Sequence, residues 1–350
     1  MATDTATGAG AAWQLEGLDA PVAALRRAIE SGHLAHAYLF HGPPGVGKAT
    51  LARRLAQALV SPPGPDGALD LDSRPARQVE ADELPDVERV VVGGICDDDT
   101  ADRAATATRI RICQVRRLQR LAALAPFQAP RRIFIIDSVN DLQTEAAHAL
   151  LKVLEEPPPH VLLLLLSHDP EELLPTVRSR CQEIALLPMP VARLAEALEG
   201  RAGLEPEEAR ALAREARGRY GLAIRLLEDP SLRVLQESVA EAVGRLGRAG
   251  RNERLDYAEQ LSANWRRDRA TVLTTLDLWA DWWRNVLFDA AGADATAAAA
   301  VQDGDAWTAS QAVVALQALR RAREHLLANV NPQLAIEVMM LDLPTAGAGA

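Results

Sequence analysis

Cysteine is nearly absent from this chain of 350 residues: Cys96, Cys113 and Cys181 are the only three. They are too few and too scattered for a disulfide framework or a four-cysteine zinc site, and that scarcity points to the cytoplasm. A secretory signal is also missing, because the opening "MATDTATGAGAAW" is small and polar with no basic stretch leading into an apolar one. Long apolar runs are lacking; the longest strongly apolar one, Val161 to Leu166, is far too short to span a bilayer, so no membrane role is expected. Positive charge is not in excess either. The 48 acidic against 38 basic residues leave a net charge of −10, which excludes a global electrostatic footprint for nucleic acid and leaves any DNA contact local or shared with partners. What the chain does have is 48% hydrophobic residues and a length that favours two or three domains with real cores.

The apolar pattern divides the chain. After twelve residues that read as disordered, Val22 to Ile29 has the look of a short helix, and Ala37 to Phe40 is an apolar strand running into a glycine-rich loop. In the next stretch Leu51, Leu55, Ala58 and Leu59 share one helical face. Residues 61–86 are rich in Pro, Asp and Gly and read as an irregular insertion. "IRICQVRRLQRLAALA" is helical, "RRIFIIDS" a buried strand ending at Asp137, and "TEAAHALLKVLEEPPP" a helix capped by Thr144 and closed by prolines. "VLLLLLS" is apolar on both faces, as a central parallel strand must be. Alternating strands and helices imply an α/β module with a parallel sheet and helices on both faces, its ligands beyond the carboxyl ends of the strands. The expected division is 1–187 for this phosphate-loop module, 188–232 for a small helical domain, and 233–350 for an all-α domain.

"GPPGVGKAT" carries the chemistry. Gly42, Gly45 and Gly47 allow a turn whose backbone N–H groups surround phosphate oxygens at the start of a helix, with Lys48 reaching the β and γ phosphates. The hydroxyl that should follow the lysine and bind magnesium is Ala49, and Thr50 stands one residue too far round the helix to replace it directly. Asp137 fits the acidic residue that holds magnesium, but Ser138 follows where hydrolysing relatives of many such families place a glutamate base. A serine cannot do a carboxylate's work, so the chemical step should be severely slowed.

Several stretches coincide with one family. "LAHAYLFHGPPGVGK", "IIDSVNDLQTEAAHALLKVLEEPP", "LLLSHDPEELLPTVRSRCQEI" and "NVNPQLAIE" resemble, in order and spacing over nearly the whole chain, the bacterial DNA polymerase III clamp-loader subunits, the delta-prime type most of all. The resemblance implies an AAA+ module, a small lid domain and a helical collar in a five-subunit ring with gamma/tau and delta subunits. That ring loads the sliding clamp onto primed DNA, using ATP at subunit interfaces. It implies that Arg180, within Ser179 to Cys181, is a finger projecting into a neighbour's ATP site, where a guanidinium neutralises the transferring phosphoryl group. Ser167 falls in the region that reads the γ phosphate, and Gly221 stands where gamma-type ATPases carry a lid arginine. ATP with magnesium is therefore expected to bind weakly or without hydrolysis. The family's four-cysteine zinc module has shrunk or been replaced around "LPDVERVVVGG", and no zinc is expected.

The remaining candidates have bland readings. Trp279, Trp282 and Trp283 form a packing face, His36 packs beside its strand, and the arginine groups at 116–120, 266–269 and 320–323 are solvated helix faces. The sequence therefore favours a non-motor subunit with little intrinsic ATPase that lends Arg180 to its neighbour. The rivals are an active gamma/tau-like ATPase and a nucleotide-sensing adaptor outside the replisome.

Overall fold

Five short apolar segments pair in parallel into one sheet: β1 (Ala37–His41), β2 (Val87–Val90), β3 (Arg132–Ile136), β4 (Val161–Ser167) and β5 (Gln182–Ala185), in the order β2-β3-β4-β1-β5. The structure, a computed structural model, describes residues 9–61, 63–64, 66–94, 96, 107–290, 307–328 and 330–346. All residues of β3 and β4 are buried. Side chains alternate between faces along a strand, so the sheet builds two cores. On one face Phe40, Ile133, Leu162, Leu164 and Leu166 pack with Val22 and Leu25 of α2 (Asp19–Glu30) and Leu51 and Leu55 of α3 (Lys48–Val60). On the other, Leu39, Phe134, Leu163 and Leu165 meet Val115 and Leu118 of α5 (Ile112–Ala122) and Leu150 and Val153 of α6 (Thr144–Glu155).

The chain divides into two compact units, Met1–Ile224 and Arg225–Ala350. The first also holds α7 (Pro175–Arg178), α8 (Val191–Ala202), α9 (Pro206–Glu215) and the start of α10 (Tyr220–Glu228). Among the described residues the second contains helices and no strand: the end of α10, then α11 (Pro230–Arg248), α12 (Arg251–Asn264), α13 (Arg269–Ala290), α14 (Ala309–Leu327) and α15 (Pro332–Asp342). Its core contains Trp279 and Trp283, with Trp307 edge-on to Trp283 at a ring separation of 4.9 Å and Trp282 partly buried beside them. Arg254 is buried there and donates to the carbonyls of Leu246, Met340, Leu343 and Pro344, so one guanidinium ties the end of α15 to α12.

Four expectations change. Residues 9–12 are not disordered but form α1 (Ala9–Ala12), because Trp13 is wholly buried behind them and the Gly10 N–H donates to Asp19 Oδ1 at 3.1 Å; the first eight residues lie outside the described ones. The insertion at 61–86 contains α4 (Arg74–Glu80), started by the Ser73 hydroxyl accepting the Ala76 N–H, and the stretch after it supplies the edge strand β2. Helix α6 is capped at Gln143, not Thr144: the Gln143 N–H donates to the Ile110 carbonyl, which keeps Gln143 extended and makes Thr144 the first helical residue. Cys96 and Cys113 are joined as a disulfide. Sequence separation hid this pair, whereas in space the Gln114 side chain donates to the Val91 carbonyl and Arg111 to that of Gly94, bringing the two Cα atoms to 5.6 Å. Residues 97–106, within the stretch where the zinc module was expected to be replaced, lie outside the described ones.

Candidate nucleotide site

The glycine-rich loop leaves β1 at the carboxyl edge of the sheet and turns into α3. Gly45 (φ 80°) and Gly47 (φ 106°) adopt the left-handed backbone that this reversal needs. Lys48, the first residue of α3, folds back so that its Nζ donates to the Gly42 carbonyl at 2.6 Å and the Pro43 carbonyl at 3.0 Å. Ala49 packs against the core and Thr50 is exposed.

The first turn of α10 rests on this loop. The Leu222 N–H donates to the Gly45 carbonyl at 3.2 Å. A Cβ on Gly45 would come within 2.8 Å of Leu222 Cβ, and a Cβ on Gly221 within 2.9 Å of the Gly45 carbonyl oxygen. Position 221 is therefore held to glycine by contact with the loop, and a lid arginine there has no room without displacing one or the other.

Asp137 follows β3, and its N–H donates to the Val90 carbonyl. Its carboxylate is paired with Arg89 of β2, Nη2 to Oδ2 at 3.1 Å, while the other arm of the same guanidinium holds Asp82 Oδ2 at 3.1 Å. Burial alone would lower the Arg89 pKa, but hydrogen bonds and charge from Asp137 and Asp82 outweigh it and raise it. Ser138 stands in the left-handed region (φ 64°), turning the chain into the short helical turn Val139–Asp141. Ser167, fully buried at the end of β4, donates its hydroxyl to Asn140 Oδ1 at 2.8 Å; Asn140 in turn donates to the Asp169 carbonyl.

Gly42, Gly45, Gly47, Lys48, Asp137 and Ser167 thus gather around one end of the sheet. Arg89 and Asn140, the partners of Asp137 and Ser167, are neighbours of the candidate site that sequence reasoning missed. The available signals were a lone arginine inside the apolar "VERVVV" and an asparagine three residues after Asp137. Arg180 lies after α7, away from this cluster in the sequence and held by different partners: Nη1 donates to the Thr176 carbonyl at 2.8 Å and Nη2 pairs with Glu155 at 2.9 Å, with the side chain 33% exposed. Burial, then the nearby Glu183, pushes the Cys181 thiol up to about 12, so it packs as a neutral group and is no nucleophile.

The residues present do not fit a hydrolytic ATP–magnesium centre. The loop and Lys48 keep the shape of a phosphate cradle, but the hydroxyl ligand is an alanine, the base is a serine, and the remaining carboxylate already carries an arginine.

A parallel sheet with a glycine-rich loop, a lysine opening the next helix and an aspartate ending a neighbouring strand defines a phosphate-loop module of the AAA+ class. The family model for the DNA polymerase III delta subunit matches residues 18–190. The delta-prime subunit of Pseudomonas aeruginosa is 30% identical over 256 residues, covering 72% of each chain. This chain belongs to the DNA polymerase III clamp-loader subunit family. The gamma/tau subunit of Mycobacterium tuberculosis (strain ATCC 25618 / H37Rv) is 33% identical over 175 residues, 48% of this chain but only 27% of that one. The chain spans between a quarter and a third of the length of such gamma/tau relatives. Among solved structures, a gamma subunit-related protein of Thermotoga maritima aligns over 91% of this chain and 97% of its own at 15% identity and a TM-score of 0.41.

Proposed function

We propose that this chain is a delta-prime-type subunit: a non-motor member of a loader ring that holds gamma/tau and delta subunits together and supplies Arg180 to a neighbour's ATP. One observation carries the reading, the contrast between the chain's own phosphate site and its arginine. Every side chain that should face nucleotide in the chain's own site is either missing or engaged internally: Lys48 by loop carbonyls, Asp137 by Arg89, Ser167 by Asn140. Arg180 sits instead on a partly exposed turn, held by a carbonyl and one exposed glutamate that an incoming phosphate can outcompete.

Within this reading, residues 1–187 are the AAA+ module, 188–232 the lid and 233–350 the collar that joins neighbouring subunits. The sliding clamp and primed DNA are reached through the assembly, in the cytoplasm. No described helix is long and apolar enough to cross a membrane. The second reading, an active gamma/tau-like ATPase, is favoured by the 33% identity to gamma/tau chains. Mixing the purified chain with gamma/tau and delta and resolving the products by size-exclusion chromatography with ATPase assays of each fraction separates the two. The proposal expects co-elution in one complex, with hydrolysis absent from this chain alone and present in the complex lacking Lys48 of this chain. Failure to co-elute, or loss of the complex's hydrolysis with Lys48→Ala, overturns it.

A further inference from the structure

The Asp82–Arg89–Asp137 bridge has no counterpart in the expected ligand set. We infer that Arg89 takes the charge position of the divalent cation in this chain, so that its phosphate loop is a metal-independent anion site and Asp137 is closed to magnesium.

Three segments converge to make the bridge: the turn after α4 gives Asp82, β2 gives Arg89, and the end of β3 gives Asp137. The guanidinium spans both carboxylates at 3.1 Å, and its side chain is only 30% exposed. A fixed cation between two carboxylates satisfies the electrostatics that a divalent ion would otherwise supply. A magnesium ion would have to displace that arginine from both of its carboxylate partners, and the position that would offer the hydroxyl ligand is Ala49. Magnesium gives up its own waters reluctantly and is held in such sites by very few protein groups, so losing one ligand and having the other neutralised removes most of the attraction. Phosphate oxygens, by contrast, still meet the loop's N–H groups, the start of α3 and Lys48, none of which needs a metal.

The inference shares with the proposed role only the assignment of Asp137, and it is tested without touching Arg180. ATP binding to the wild-type chain is measured by calorimetry in magnesium chloride and again in EDTA. Dissociation constants within about threefold of each other are the expected result; binding at least about tenfold tighter with magnesium, or no binding in either buffer, overturns the inference. The second arm uses Mn²⁺ alone, read by water-proton relaxation. The wild type is expected to hold none, and Arg89→Met, which keeps the stem's packing and frees two carboxylates, is expected to gain a bound ion that Arg89→Met/Asp137→Asn loses. Mn²⁺ held by the wild type at Asp137, or an Arg89→Met chain that folds and binds no more than wild type, contradicts it. Loss of loader turnover on Arg180→Ala would stand whichever way these come out.

Discussion

Asp86 shows how one buried side chain sets a surface loop. It is fully buried and accepts the N–H groups of Phe127, Gln128 and Ala129 at 2.7 to 2.9 Å, with Arg132 at 3.2 Å. Burial pushes its pKa up, but the three backbone donors and Arg132 outweigh that and hold it below the ordinary carboxylate value. A depressed folded pKa means the carboxylate stabilises the fold fully above the unfolded value of about 3.9, and the contribution is lost as pH falls below that through the folded pKa. Asp86→Asn should therefore cost about 3 kcal/mol at pH 7, with the difference from wild type shrinking in urea titrations run from pH 5 down to pH 3. A cost that stays constant or grows toward pH 3 would contradict this account. Gly221 makes the opposite case, a residue defined by what cannot be there. Gly221→Arg should not create ATP hydrolysis, and its forced contact with the Gly45 carbonyl should destabilise the chain by about 1–3 kcal/mol, read as a lowered midpoint of thermal unfolding.

At the scale of elements, the central strand β4 and the new covalent tie can both be tested. Leu164 is wholly buried between the flanking strands, and Leu164→Ala should cost about 2–5 kcal/mol in chemical denaturation. The Cys96–Cys113 bond closes a separation of 17 residues, so Cys96→Ser should lower stability by about 3 kcal/mol under oxidising conditions and by much less with reductant present. Much of this architecture was legible in the sequence. β1, β3 and β4 are apolar runs with no competing period, and the helices that cover them repeat their leucines every three to four residues. β2 and α4 were not legible: β2 is an edge strand of four residues interrupted by Glu88 and Arg89, and α4 is seven residues long with a proline in its first turn. Short elements of that kind are fixed by tertiary contact more than by pattern. The disulfide was hidden for a related reason, since only the packing of β2's exit against α5 brings the two cysteines together.

For the whole molecule, the site residues were visible as types, but their partners were not. A spacing can announce Lys48, Asp137 and Ser167; it cannot show that each is already engaged, because Arg89 comes from the neighbouring strand β2, Asn140 from the turn after β3, and the loop carbonyls meet Lys48 only when the loop folds back. On the proposed reading, that engagement leaves the phosphate loop without a hydrolytic centre, and Arg180 is the group offered to a neighbour. The most direct test of this account is DNA- and clamp-stimulated ATP turnover of the reconstituted loader with Arg180→Ala or Lys48→Ala in this chain alone. The account predicts a fall of at least about tenfold with Arg180→Ala, from loss of a guanidinium supplied in trans, and less than about a twofold change with Lys48→Ala. A large loss with Lys48→Ala and none with Arg180→Ala would show the phosphate loop to be a working ATPase site and contradict the account.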